Sequence, residues 1–350
     1  LADLVNVLEF EPVCKAKLPK ESYDFIAGGT DDEFTLRRNR EAFQWLTLRP
    51  RMLVDVSRID LSLELFGQKI EMPILVSPTG GQQLSHPEGE LAMARGAGAL
   101  QTIMAVSTNS SYPIEKIAAA ATGPLWFQLY AGPDRDGTRE KVERAVAAGC
   151  KAVCFTVDTP YNSHRERLLR DRVSQPAPAA VRRGGPELPT RYRLERRFTG
   201  ELTWTFVDEL RSYAQVPVLI KGILTPEDAL LAVQHGAAGV LVSNHGGRYL
   251  GAAPSTIEVL PAIVDAVAGK IPVLVDSGFR RGVDVLKALA IGAKAVMVGR
   301  PPLWGLAGYG QPGVVRVLEL LQTELALAMG LSGVPNLAAI SRQLVSFDRR

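Results

Sequence analysis

Within the six residues Ser243-Asn244-His245-Gly246-Gly247-Arg248 stand a proton carrier, a carboxylate binder and two glycines. Histidine titrates near neutral pH, so His245 could take or release a proton. Arg248 presents a planar fork of donors that matches a carboxylate. The glycines let the backbone approach a flat ligand closely. The residues just before, 239–242, are Gly-Val-Leu-Val and read as a short buried strand that stops at Ser243. An ordinary strand-end turn with a capping histidine would give the same pattern, so the surrounding elements decide.

Those elements follow a rhythm. From residue 70, short β-branched runs alternate with helical stretches. Strands are expected at 72–77, 102–107, 125–129, 152–157, 218–221, 239–243, 272–276 and 295–299. Helices are expected between them, at 87–98, 113–121, 138–148, 226–235, 256–268 and 282–291. Eight strands with intervening helices predict an α/β chain folded as a closed (β/α)8 TIM barrel, one domain over 1–350. Residues 1–50 form a helical preface, and the apolar tail from Val314 adds a last helix outside the barrel. No Gly-x-Gly-x-x-Gly follows the first strand, which argues against a dinucleotide site. One interval breaks the rhythm. Residues 161–200 follow the fourth strand, contain several prolines and glycines, and carry ten arginines from Arg165 to Arg197. They read as a long loop, a mobile lid over the barrel mouth; its arginines could touch an acidic membrane or partner, but a simply solvated loop is the favoured reading.

Composition excludes several classes. Hydrophobic residues make up 46% of the 350 positions, enough for a sizeable core, and the net charge of +3 gives no sign of nucleic-acid binding. No run is long and apolar enough to span a membrane, and the first residues lack the basic-then-apolar pattern of a signal peptide. The cysteines Cys14, Cys150 and Cys154 form no Cys-x-x-Cys pair, which fits reduced thiols and a cytoplasmic setting. No metal ligand set is expected.

In such a barrel the chemistry belongs at the C-terminal ends of the strands. Those ends are polar here, while the strand bodies are apolar. They supply Thr79 and Gly80, Ser107 and Asn109, Gln128 and Tyr130, Thr156 and Asp158, Lys221, then His245 and Arg248. The last two strands end in Asp276, Gly278 and Arg280, and in Gly299 and Arg300. Backbone N–H groups at the glycines and two guanidiniums suit a phosphate, either a substrate's or a cofactor's. Joined to Ser107, Gln128, Thr156 and Lys221, they suggest a phosphorylated ring cofactor across the mouth. Lys221 would place a positive charge beside that ring and favour an anionic reduced form.

Nine motifs in order carry a resemblance: LRPRMLVDVS, SPTG, HPEGE, FQLY, TVDTP, KGILTPEDA, SNHGGR, DSGFRRG and VGRPPLWGLA. With them, the stretch from about Leu18 to Arg342 resembles the FMN-dependent α-hydroxy acid oxidases and dehydrogenases. The resemblance implies FMN as cofactor and oxidation of a small-molecule α-hydroxy acid to its 2-oxo product. It also implies oxygen or another electron acceptor, and a homotetramer. It further implies His245 as catalytic base and Asp158 as the acid that orients it. Tyr130 and Arg248 would contact the substrate. Thr79, Gly80, Ser107, Gln128, Thr156 and Lys221 would face the isoalloxazine, and Asp276, Gly278, Arg280, Gly299 and Arg300 the ribityl phosphate. The substrate would give one proton to His245 and an electron pair to flavin N5, as hydride or after carbanion formation. Asp158 is expected to raise the basicity of the imidazole. His86, in HPEGE, reads as structural.

The chain departs from this family at the substrate. By spacing, His164 stands where the family has a second arginine, with Arg165 beside it. Phe25 replaces a tyrosine, Asn109 stands where the family often has an aromatic or other side chain, and Tyr249-Leu250-Gly251 lacks an acid at its third residue. Losing two hydrogen bonds to one carboxylate would cost on the order of 1–3 kcal/mol each. Two readings follow: a larger, amide- or amine-bearing substrate, or a carboxylate still held by protonated His164 or by Arg165 swung inward. An FMN-binding barrel without turnover and an FMN-dependent isomerase on the same fold are the remaining alternatives.

Overall fold

The computed structural model of the chain describes residues 1–174 and 202–347. The strands expected from the apolar runs all form. They are β1 (Ile74–Val76), β2 (Met104–Ser107), β3 (Leu125–Leu129), β4 (Val153–Thr156), β5 (Val218–Ile223), β6 (Gly239–Val242), β7 (Val273–Val275) and β8 (Ala295–Val298). Each pairs in parallel with its neighbours in chain order, and β8 pairs with β1 through Val296–Ile74, Met297–Leu75 and Val298–Val76 to close the barrel. The observed architecture is the (β/α)8 barrel.

Alternation along each strand divides the core in two. The residues facing the barrel axis are Leu75, Ala105, Trp126, Cys154, Leu219, Leu241, Leu274 and Met297, which form one buried cluster. Their strand neighbours, among them Val76, Phe127, Val153, Ile220, Val240 and Val275, belong to a second cluster that the outer helices cover. Two residues further along, the axis-facing positions become Ser77, Ser107, Gln128, Thr156, Lys221, Ser243, Asp276 and Gly299. A single pleat step therefore carries the interior from apolar to polar on every strand but β8, where the position is Gly299.

The bottom of the barrel is closed by a hairpin not expected from the sequence, Leu63–Leu65 paired antiparallel with Gln68–Ile70. Its turn residue Phe66 reaches in to Trp126, with ring centroids 5.5 Å apart. The helices Gly89–Ala99, Ile114–Ala120, Arg135–Ala147, Thr205–Ala214, Pro226–Gln234, Thr256–Val267 and Gly282–Ile291 ring the outside. A further helix, Arg300–Tyr309, starts where β8 ends, and the long helix Gln311–Leu331 packs against it. The preface folds as Phe10–Lys17, Lys20–Ala27 and Phe34–Glu41. These helices sit beside the mouth, and strand Leu46–Leu48 pairs antiparallel with Val345–Phe347.

Of the stretch expected as a lid, 161–200, only its start is described; Arg182, Arg183, Arg191, Arg193, Arg196 and Arg197 lie outside the described residues. That start contains helix Glu166–Ser174, docked on Lys20–Ala27. Arg167 pairs with Glu33 at 2.6 Å and Lys20 pairs with Asp171. Among the described residues no helix is long and apolar enough to cross a membrane.

Trp126 is fully buried at the centre of the lower layer. Replacing it with alanine should cost about 3–5 kcal/mol of stability. Chemical denaturation should read this as a lower midpoint; an unchanged midpoint would show that the plug does not support the barrel.

Candidate active site

The polar layer at the strand ends is cross-linked. Ser107 Oγ donates to Gln128 Oε1 at 3.1 Å, and Gln128 Nε2 donates to Thr156 Oγ1 at 3.0 Å. All three are buried, so β2, β3 and β4 end in one hydrogen-bonded row. Lys221, only 4% exposed, continues it on β5. Its Nζ donates to Ser243 Oγ at 2.9 Å and lies 3.6 Å from Asp158 Oδ2 and 3.9 Å from Asp276 Oδ2. β5 bulges between Lys221 and Ile223. The intervening Gly222 has φ +109°, and a Cβ there would stand 2.7 Å from Asp158 Cβ. Only glycine allows Asp158 to close on Lys221.

His245 completes the group. It has φ +56°, an uncommon left-handed conformation for a side-chain-bearing residue, and its N–H donates to Ser243 Oγ at 3.1 Å. Its Nδ1 is 2.8 Å from Asp158 Oδ1, and its Nε2 is 3.3 Å from the Tyr130 hydroxyl. Asp158 Oδ1 accepts a hydrogen bond from the Nδ1–H, which leaves the Nε2 lone pair turned toward Tyr130 and the cavity. Tyr249 stacks edge-on against the imidazole at 4.6 Å.

Electrostatics differ from the sequence expectation in one respect. Burial, then the charge of Lys221, hold the His245 imidazole below its usual pKa, and this outweighs the upward pull of Asp158. The resting histidine is therefore a neutral base. Burial pushes the Asp158 carboxyl up, but Lys221 and His245 together bring it below its usual value, so it stays ionised. Lys221 is held above its ordinary value: burial opposes this, and Asp158 and Asp276 overcome it.

A cavity of about 320 Å³ opens above this layer. On one side its lining includes Thr79, Gly80, Ser107 and Asn109. From the ends of β7 and β8, which close the barrel next to β1, it includes Asp276, Gly278, Arg280, Gly299 and Arg300. Gly278 has φ +89°, and a Cβ there would lie 2.1 Å from the Asn39 carbonyl oxygen, so the preface helix passes too close for a side chain. Burial, then Arg300 and Arg40, draw Arg280 down to about 9, and burial draws Arg300 down to about 10. Among the described residues neither has a carboxylate within ion-pair distance. Arg280 donates to the Phe279 carbonyl, and Arg300 to those of Ile26, Gly28 and Gly246. A buried and a half-buried guanidinium, neither paired with a carboxylate, fit a phosphate; with the strand-end row and Lys221 they fit the FMN expected from the sequence.

The third wall corrects one expectation. His164 does not line the cavity: its Nδ1 is 3.3 Å from Asp31 Oδ1. Arg165 lines it instead, over the ring of Phe25 at 5.3 Å. The segment is not yet helical there, so consecutive side chains point apart. Arg248 lies over the same ring at 5.1 Å and donates to the carbonyls of Phe25, Ile26 and Gly28. Two guanidiniums thus flank Phe25, so the cavity has a second arginine although His164 stands at the expected position. The missing acid also has an account: a Cβ at Gly251 would lie 2.2 Å from Asp31 Oδ2, so Asp31 fills that space. Asp158, Gln128 and Thr156 sit beneath the lining and act through His245 and Ser107. His86 lies apart, with its Nδ1 accepting from the Glu88 N–H.

Some residues carry more than the sequence suggested. Ser243 binds both Lys221 and the His245 backbone; its place two residues past Leu241 was the available signal. Glu90 of HPEGE is fully buried and accepts from the Gln82 and Ser111 N–H groups, tying the loops after β1 and β2 together. Nothing in the sequence shows that reach.

Comparison with known proteins gives one answer. The model of the FMN-dependent dehydrogenase family matches residues 14–347. Peroxisomal (S)-2-hydroxyacid oxidase GLO3 of Arabidopsis thaliana is 44% identical over 352 residues, covering 98% of this chain and 96% of the relative. Glycolate oxidase of Spinacia oleracea is 43% identical over 356 residues, covering 99% and 96%. The crystal structure of mandelate oxidase with benzoyl-formic acid superposes with a TM-score of 0.88 at 40% identity, covering 98% of both chains.

The His245 titration can be followed by NMR. Its midpoint should lie below the usual histidine value of about 6.5, and Asp158→Asn should move it lower still, because an upward influence is removed. A midpoint that rises in Asp158→Asn would contradict the geometry.

Proposed function

The chain belongs to the FMN-dependent dehydrogenase family, and from that premise we propose that it oxidises an α-hydroxy acid to the 2-oxo acid with bound FMN. The observation that carries the reading is the His245 imidazole, fixed by Asp158 through Nδ1 and open at Nε2 to a cavity that Arg165 and Arg248 also line. The two guanidiniums supply the donors for a substrate carboxylate. A hydroxyl on the next carbon then meets His245 Nε2 and the Tyr130 hydroxyl, which stand 3.3 Å apart. His245 takes the substrate proton as general base. Asp158 keeps the imidazole in the required tautomer and stabilises the imidazolium that forms. Burial lowers the affinity of the resting imidazole for a proton, so the base is free at neutral pH.

FMN, when bound, supplies the acceptor for the electron pair that leaves the substrate. Thr79, Gly80, Ser107 and Lys221 would hold its ring, with Gln128 and Thr156 behind them. Asp276, Gly278, Arg280, Gly299 and Arg300 would hold its ribityl phosphate. Oxygen is the proposed final acceptor, in line with the relatives called oxidases.

Asn109 lines the cavity beside Thr79 and Gly80, and as a side chain smaller than an aromatic ring it leaves room there. This supports an α-hydroxy acid with a sizeable side chain. The proposal extends to a reducing, cytoplasmic setting, in keeping with three buried, unpaired cysteines, although one relative carries "peroxisomal" in its name. It also extends to a homotetramer, to which the exposed Met52, Leu53, Leu327 and Leu331 offer apolar surface. A monomeric mass on sedimentation would remove that last part.

Anaerobic mixing of the FMN-loaded protein with glycolate, (S)-lactate or (S)-mandelate tests the central reading. Loss of the yellow absorbance is expected, fastest with mandelate; no bleaching with any of the three would sink it. His245→Gln should keep the FMN and slow bleaching by roughly 10²–10⁴-fold, the range for loss of a general base.

A further inference from the structure

Ser277, directly after β7 and Asp276, has φ +77° although it carries a side chain. Glycine suits that conformation better, so the backbone alone gives no reason for a serine. What a glycine could not supply is the hydroxyl, and the hydroxyl is used twice. It donates to Asp276 Oδ1 at 2.7 Å and accepts the Gly246 N–H at 3.0 Å. Both acidic and hydroxyl groups are nearly buried, at 6% and 9% exposure. The other Asp276 oxygen, Oδ2, lies 3.9 Å from Lys221 Nζ, longer than a charge-assisted hydrogen bond. Gly246 adjoins His245, and its carbonyl accepts from Arg300 at 2.9 Å. One hydroxyl thus joins the loop after β7 to the turn after β6 and restrains the acid next to the buried lysine.

We propose that Ser277 is a positioning residue that sets the reduction potential of the bound coenzyme, by holding the Asp276 carboxylate off Lys221 while it anchors the Gly246 turn. The inference rests on the FMN reading above. A buried carboxylate that loses a donor is left poorly satisfied. Without the hydroxyl, Asp276 turns to the nearest cation, which is Lys221. The lysine charge is then spent on Asp276, and less of it remains to offset the negative charge that reduction brings to the mouth. Reduction becomes less favourable.

Spectroelectrochemical titration of the holoprotein tests this with Ser277→Ala and Ser277→Gly. Alanine keeps the backbone strain and loses the hydroxyl. Glycine relieves the strain and also loses the hydroxyl, so it folds even where alanine does not. Both variants should shift the FMN midpoint to more negative potential by a similar amount. The expected size is about tenfold in the reduction equilibrium, about 30 mV for a two-electron couple. A wild-type midpoint in Ser277→Gly overturns the inference, whether or not alanine shifts it, because the serine would then matter only through its backbone. Wild-type protein that retains no FMN would fail earlier and remove the proposed function together with this inference, so the two failures are distinct.

Discussion

A lysine ammonium sits almost out of water at the end of β5, and the site is arranged to make that tenable. A lone buried cation would cost several kcal/mol. Here Lys221 has Ser243 as hydrogen-bond acceptor and the carboxylates of Asp158 and Asp276 within 4 Å. The group then holds one positive and two negative charges. A proton received by His245 brings it to neutrality, so the same acid that keeps the lysine charged also stabilises the imidazolium. The two roles meet in Asp158, which faces Lys221 with Oδ2 and His245 with Oδ1. The bulge at Gly222 is the backbone feature that permits it.

This arrangement depends on strand alternation. Seven of the eight barrel strands place an apolar residue on the axis and a polar one two positions later; β8 has Gly299 there. The apolar residues fill the barrel, so the polar ones can only stand at its rim. Once there they satisfy one another: Ser107, Gln128 and Thr156 across three strands, then Lys221 and Ser243 across two more. The rim is therefore rigid before any ligand arrives, which is what a catalytic group needs if it is to be held in place. The hairpin under the barrel packs the lower layer from below, with Phe66 against the fully buried Trp126.

The substrate side shows how a departure in sequence need not be a departure in chemistry. Phe25 has no hydroxyl, yet its ring lies beneath both Arg165 and Arg248, and a ring face attracts guanidinium cations. The position keeps two carboxylate donors together by packing. Asp31 and Gly251 show the same exchange: an acid absent from one loop is replaced in space by an acid from the preface, and the glycine is what leaves room for it.

Much of this was legible in the chain alone. Short continuous apolar runs alternating with helical stretches pointed to the barrel, since strands apolar on both faces must be covered on both. The strand-end residues His245, Asp158, Lys221 and Arg248 were legible because the barrel fixes where strand ends meet. Tertiary structure decided what spacing cannot. It sent Arg165 into the cavity and His164 to Asp31, because the direction of a side chain outside regular structure depends on the local backbone path. It also set the proton affinity of His245, which is a sum over burial, Lys221 and Asp158 and so depends on distances between residues far apart in the chain. Types and order specify which groups can meet; only the folded backbone fixes how close they come, and electrostatic effects depend on that closeness.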